Sequence, residues 1–125
     1  MKIIHVDDSK FQARMCKRIL KETLDELEIT FLNDQEMLDN IENNNTFQDA
    51  DVLLTDLLMP KISGHEVLKY VKKVNPSCCL VVISSNMQST EKTLCYENGA
   101  DFFIEKPLTT AKVNEFREFY YANRK

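Results

Sequence analysis

Two short segments limit what this chain can fold into: DVLLTD, residues 51–56, and CLVVIS, residues 79–84. Both are apolar on consecutive positions, not on alternate ones. A strand with one wet face alternates, whereas a strand apolar throughout is covered on both faces, which is the habit of a parallel sheet between layers of helix. The flanking sequence agrees. KIIHV (residues 2–6), EITFL (28–32) and DFFIEKP (101–107, stopped by Pro107) read as further strands, and each gap between strands carries helical spacing.

Apolar residues at Phe11, Met15, Ile19, Leu20, Leu24 and Leu27 predict a first helix over 11–27, with Ser9 as its N-cap. DQEMLDNIE predicts a short helix capped by Asp34, followed by a polar loop containing Asn43–Asn45. GHEVLKYVKKV places Val67, Leu68, Val71 and Val74 on one face and is broken at Asn75-Pro76. STEKTLCYENG predicts a helix with a Ser or Thr cap and Gly99 at its C-terminal end. The last helix, TTAKVNEFREFYYA, turns Val113, Phe116, Phe119 and Tyr120 inward and ends near Ala122. Strand and helix thus alternate five times, and right-handed crossovers make this a doubly wound α/β sheet. Residues 1–125 read as one domain, with no effector domain beside it.

Composition removes several classes of function. The formal net charge of −4 provides no overall basic surface for nucleic acid, so no direct nucleic-acid binding is expected. No apolar run is long enough for a membrane span or a signal peptide. The four cysteines, Cys16, Cys78, Cys79 and Cys95, form no C-x-x-C pair, and neither His5 nor His65 stands at ligand spacing to them. They read as reduced thiols of a cytoplasmic protein. The adjacent Cys78-Cys79 pair is unusual, and a redox role for it is the sharper of its two readings.

In a doubly wound sheet, ligands bind at the carboxyl ends of the strands. The first strand there ends in Asp7 and Asp8, the third in Asp56, the fourth in Ser84 and Ser85, and the fifth just before Lys106. Taken singly, Asp8 could cap a helix, Ser84 could serve a turn and Lys106 could be a solvated surface group. Together they converge on one edge. Three ionised carboxylates in a partly desolvated cleft repel one another and need a counter-charge. Lys106 offsets one, and a hard divalent cation, Mg²⁺ or Mn²⁺, suits the remainder. A carboxylate beside such a cation can attack a phosphoryl group, and Asp56, alone between apolar neighbours, is the candidate nucleophile.

The same residues carry a family resemblance over the whole chain. IIHVDDS, LLTDLLMPKISGHEVL, VVISS and GADFFIEKP resemble the receiver domain of two-component response regulators, of the chemotaxis-regulator type; the segment Asp56 to Gly64 is the most specific. The resemblance implies a flavodoxin-like sheet of order 2-1-3-4-5. It implies Asp56 as phosphoacceptor and Asp8 as a direct Mg²⁺ ligand, with Asp7 acting through a water and the Leu58 carbonyl as a further ligand. It implies Lys106 as the lysine that bonds the phosphoryl group, a cis Lys106-Pro107 bond, and Ser84 and Phe103 as the switch pair. The phosphodonor would be a histidine kinase or a histidine phosphotransfer protein. The output surface would be the fourth helix, fifth strand and fifth helix, with Lys92, Tyr96, Phe119 and Tyr121 as candidate contacts to an output protein that the sequence does not name.

Departures from the pattern bear on output and lifetime. Phe103 stands where tyrosine is common, so the switch lacks a hydroxyl. Leu58 and Asn86 flank the phosphoryl position, and Leu58 offers no polar group to orient water, which predicts a slow loss of the phosphoryl group. Two other readings compete. A Mg²⁺-dependent phosphatase with an aspartyl nucleophile would need a second acid two residues after Asp56, where Leu58 stands. A receiver-like adaptor that is never phosphorylated would have no use for the full set of acids and lysine. The expectation is a phosphoacceptor that acts only on its own phosphotransfer and dephosphorylation.

Overall fold

The structure, a computed structural model, describes residues 1–43, 46–85 and 88–123. Five strands and five helices alternate: β1 (Lys2–Val6), α1 (Lys10–Thr23), β2 (Glu28–Leu32), α2 (Asp34–Asn43), β3 (Val52–Thr55), α3 (Gly64–Val74), β4 (Cys79–Ser84), α4 (Ser89–Glu97), β5 (Phe102–Glu105) and α5 (Thr110–Asn123). The strands form one parallel sheet in the order β2-β1-β3-β4-β5. β1 pairs with β2 on one side and β3 on the other, so the order in which strands are added reverses there, and a crevice opens at the carboxyl ends of β1 and β3.

Strand side chains alternate between two cores. Ile4, Val6, Leu53, Leu80 and Val82 pack with α2, α3 and α4, through Met37, Val67, Leu68, Val71 and Cys95. Ile3, Val52, Leu54, Val81 and Ile83 pack with α1 and α5, through Cys16, Leu20, Val113, Phe116 and Tyr120. The unbroken apolar runs of β3 and β4 are therefore covered on both faces, as the doubly wound reading requires.

Several local expectations need correction. α1 ends at Thr23, four residues short of Leu27, with Leu24 at its C-cap and Glu26 in the left-handed region at φ 52°. Leu24 and Leu27 still pack on the core from outside the helix, which is why the periodicity overran. Phe11 and Met15 are on the solvent side, 68% and 44% exposed, and Ala13, Cys16 and Leu20 form the buried stripe instead. Ser9 caps α1 as expected, its Oγ accepting from Gln12 N at 3.2 Å. Asp34 is not the cap of α2. Asn33 is, in a capping box where its Oδ1 accepts from Glu36 N and Glu36 Oε1 accepts from Asn33 N. Asp34 instead reaches forward, its Oδ2 accepting from Lys61 N at 3.0 Å. α4 has Gln88 at its N-cap, with no side-chain capping bond, where Ser or Thr was expected. Gly99 does close α4, at φ +106°. Phe119 is half-buried and stacks on Phe102 at 4.9 Å between centroids.

Candidate functional site

β1 and β3 lie side by side, with Val6 opposite Thr55, so the residues that follow them emerge together. Asp56 N donates to Val6 O at 3.1 Å, which fixes the third strand's acid beside the first strand's pair. Asp7, Asp8 and Asp56 each offer an oxygen within 4.8 Å of the others. Asp7 is 1% exposed and Asp56 9%, while Asp8 is exposed at the rim. Because Ser9 occupies the N-cap of α1, Asp8 does not serve as that helix's cap.

The loop after Asp56 is held by close backbone approach. Gly64 N donates to Leu57 O at 2.8 Å, and a Cβ on Gly64 would stand 2.3 Å from Asp56 O. The glycine of the Asp56–Gly64 segment is thus a steric necessity that seats the start of α3 against the acid. The capping box of Ser63 and Glu66 then starts α3 at that point. Asp34, through Lys61 N, ties α2 to the same loop.

Lys106 enters from the end of β5. Its Nζ donates to Asp56 Oδ2 at 3.0 Å and lies 3.9 Å from Asp7 Oδ2. Burial works against its charge, but the hydrogen bond and charge of Asp56 outweigh that and hold its pKa above the ordinary lysine value. Lys106 N donates to Ser84 O at 3.0 Å, so the lysine and the buried Ser84 are linked by one backbone bond. The Lys106-Pro107 bond is cis. Asp56 Oδ1 accepts from Leu57 N at 2.8 Å and Asp7 Oδ1 from Ser9 N at 3.0 Å. Burial, against the help of the Ser9 N–H and Lys106, pushes the Asp7 carboxyl up to about 6. One ammonium therefore contacts two of three clustered carboxylates, and the cluster offers oxygen ligands only. A buried Asp7 oxygen, Oδ2, accepts no hydrogen bond among the described residues. These features fit a hard divalent cation.

The remaining candidates are dispersed around this cluster. Leu58 stands at the rim with its side chain 73% exposed. Asn86 lies outside the described residues. Phe103 is half-buried against the core, with Lys92 Nζ 5.6 Å from its ring centroid. Tyr96 and Tyr121 are exposed on α4 and α5. Cys78 and Cys79 sit at the opposite end of the sheet, one in each core, because successive strand residues face opposite ways. Burial pushes both thiols up to about 12, which makes them poor nucleophiles at neutral pH.

Three features escaped the sequence reading. His5 is buried in β1, two residues before Asp7 and on the same side of the strand, a placement that period-two alternation could have shown. His65 joins α3 to α4: its ring pairs through Nε2 with Glu91 Oε2 at 3.0 Å, while Nδ1 lies 3.3 Å from Asn98 Nδ2. α1 concentrates positive charge in an acidic chain, with Lys10, Arg14, Lys17, Arg18 and Lys21 all exposed.

Comparison with known proteins agrees with this geometry. The chain is 28% identical over 127 residues to the two-component response regulator ARR17 of Arabidopsis thaliana, covering 92% of the chain and 81% of that protein. It is 35% identical over 106 residues to the chemotaxis protein CheV2 of Helicobacter pylori, covering 83% of the chain and 34% of that protein. The chain spans only 17% to 34% of several other curated relatives it matches. In fold, it superposes on the CheX-CheY-BeF3-Mg complex from Borrelia burgdorferi with a TM-score of 0.81 at 24% identity, over 97% of this chain and 89% of that one. No helix among the described residues is long and apolar enough to cross a membrane. The family model of the response regulator receiver domain matches residues 3–116, and the chain belongs to that family.

Proposed function

We propose that this chain is a phosphorylation-controlled signalling switch in which Asp56 receives a phosphoryl group from a histidine kinase or histidine phosphotransfer protein. Receiver domains interact with such donors and bind Mg²⁺ at an acidic pocket. The observation that carries the reading is the joint placement of Asp7, Asp8 and Asp56 within 4.8 Å, with Lys106 bonded to Asp56 at 3.0 Å, at the crevice of a doubly wound sheet.

Asp8 and Asp56 would hold the cation directly, with the Leu58 carbonyl, and Asp7 through a water. When bound, the cation would neutralise charge on the transferring phosphoryl oxygens. A carboxylate oxygen of Asp56 attacks phosphorus; the P–O bond forms as the P–N bond to the donor imidazole breaks, and the electron pair leaves on nitrogen. Lys106, already on Asp56, moves its hydrogen bond to a phosphoryl oxygen. Ser84 hydrogen-bonds another, and Phe103 follows it inward. Lys92 over the Phe103 ring and the His65–Glu91 contact tie this movement to α4. α4, β5 and α5 then present an altered surface to an output protein. The exposed Phe11 and Leu58, which follow the acid-bearing ends of β1 and β3 in sequence, together with the basic face of α1, support docking of a donor with an acidic, partly apolar surface.

Incubation with Mg²⁺ and acetyl phosphate tests the reading. Wild type is expected to take up one acid-stable, base-labile phosphoryl group, and Asp56→Asn none. Equal labelling of the two proteins would sink the assignment. The phosphatase reading predicts continuous turnover of a phosphate ester in the same assay, and it lacks the second acid at Leu58.

A further inference from the structure

The two histidines of this chain are treated oppositely by the fold. His65 has a partner at each ring nitrogen. His5 is 1% exposed, and neither of its ring nitrogens makes a hydrogen bond among the described residues. Its neighbours along the same face of β1 show what the position needs for packing alone, since Ile3 fills it with hydrocarbon. An imidazole there leaves two buried polar atoms without partners, which packing does not explain.

Its surroundings point in one direction. His5 Nε2 lies 3.7 Å from Asp7 Oδ2, and that oxygen is itself buried without a hydrogen bond. Asp7 Oδ1 is already engaged by Ser9 N. The ammonium near Asp7 Oδ2, Lys106 at 3.9 Å, is committed to Asp56 at 3.0 Å. The His5 ring is braced edge-on by Phe31, with centroids 6.1 Å apart. Burial first, and then the charge of Lys106, bring the imidazole pKa down to about 4.

We propose that His5 is a positioning residue of the acidic site: its Nε2–H holds Asp7 Oδ2 and so sets the carboxylate plane from which Asp7 orients a water of the bound divalent cation. The inference rests on the cation site of the preceding reading and adds to it a residue that lies beneath the carboxylates. A closure of roughly 0.7 Å completes the hydrogen bond. Groups that hydrogen-bond a metal's direct ligands typically change affinity 10- to 100-fold when removed, and His5, one bond further out, belongs at the low end of that range.

The test uses the whole chain and Mg²⁺ alone, with affinity read by calorimetry and by amide shifts in NMR. His5→Val is expected to weaken Mg²⁺ binding about tenfold while raising the metal-free unfolding midpoint, because it removes two unpartnered buried nitrogens. A purely structural histidine would not move the two in opposite directions. His5→Gln, whose amide reaches the Nε2 position, should recover most of the affinity. In ¹⁵N spectra of the Mg²⁺-bound wild type, His5 should carry its proton on Nε2. Affinity of His5→Val within twofold of wild type, a glutamine variant no better than valine, or a proton on Nδ1 in the Mg²⁺-bound protein overturns the inference. Should His5→Val fail to fold, the glutamine variant and the wild-type spectrum decide. A wild type that binds no Mg²⁺ overturns the cation site and this inference together, whereas normal wild-type binding with an unaffected His5→Val overturns this inference alone.

Discussion

Gly64→Ala isolates the link between the fold and Asp56, the proposed phosphoacceptor. The chain has two glycines, and they are constrained for different reasons. Gly64 does not occupy the left-handed region, so its backbone accepts any residue. On backbone grounds alone, alanine there would stabilise by about 0.4–1 kcal/mol. Its Cβ, however, would lie 2.3 Å from Asp56 O and 2.8 Å from Leu57 Cα. Both obstacles are backbone, so relief requires the start of α3 and the Asp56 loop to separate by roughly 1 Å. Overpacking of this kind costs about 1–3 kcal/mol, and the net result is a loss of stability of up to ~2 kcal/mol. The larger effect is on the site: a displacement of ~1 Å at a reacting group can slow reaction on the order of 100-fold. Urea unfolding and the initial rate of Mg²⁺-dependent labelling by acetyl phosphate measure the two effects. Gly99→Ala is the control. Its strain is conformational, from φ +106°, its nearest contacts are flexible side chains at 3.4 Å, and it lies at the far end of α4 from the carboxylates. It should cost about 1 kcal/mol and leave labelling unchanged. A Gly64→Ala protein that labels at the wild-type rate, or equal slowing by both substitutions, refutes the steric argument.

Three further outcomes follow from the same geometry. The Asp7 carboxyl is raised by burial from 3.8 to about 6, so its stabilising contribution is present below the unfolded value and is lost as pH rises through about 6. Asp7→Asn should therefore be more stable than wild type in EDTA at pH 7 by up to ~3 kcal/mol, with the gap closing near pH 4; a gap independent of pH contradicts the burial argument. Asp8→Ala should weaken Mg²⁺ binding several-fold more than Asp7→Ala in calorimetric titration, and the reverse order would exchange the proposed direct and water-mediated roles. Leu58→Asn places an amide where an exposed apolar side chain now stands and should speed loss of the phosphoryl group several-fold; an unchanged decay of labelled protein refutes the proposed slow hydrolysis.

The sheet and its crevice were legible because strands buried on both faces declare themselves by composition, and the crossover rule then fixes which ends of the strands converge. What failed was the inference from apolar to buried. Phe11 and Met15 continue the helical spacing of α1 but face solvent, while Ala13 and Cys16, which contribute little to a hydrophobic pattern, form its packed stripe. Leu24 and Leu27 are core residues that the helix does not reach, because the chain turns through Glu26. The cap of α2 was legible and was misassigned: Asn33 and Glu36 have the three-residue spacing of a capping box, and Asp34 only stands next to it. Gly64 was legible as a motif position but not as a cause, since the carbonyl it avoids belongs to another element. His5 lacks ligand spacing to any cysteine, and its spacing to Asp7, two residues on along one strand face, is the one that places it beside the acids.

An aspartate at the edge of a sheet is not by itself a sign of a site, and this chain contains its own control. The opposite, N-terminal edge carries Asp51 and Asp101, which flank an open groove of about 790 Å³ together with Asp49, Lys72 and the cysteine pair. There each acid meets the first free donor of a strand: Asp51 Oδ2 accepts from Lys2 N at 2.8 Å and Asp101 Oδ2 from Leu80 N at 2.9 Å. Those carboxylates complete the hydrogen bonding of the fold. At the C-terminal edge Asp7 and Asp56 each use one oxygen on a backbone N–H, and their second oxygens both face Lys106, which bonds only to Asp56. The surplus is one buried carboxylate oxygen without a bond and the exposed Asp8 beside it. Residue type is alike at the two edges, although Asp51 is half-buried and Asp101 exposed where Asp7 and Asp56 are buried. The difference is that one edge is satisfied internally and the other is not, and that remainder is what a cation and a phosphoryl group would complete.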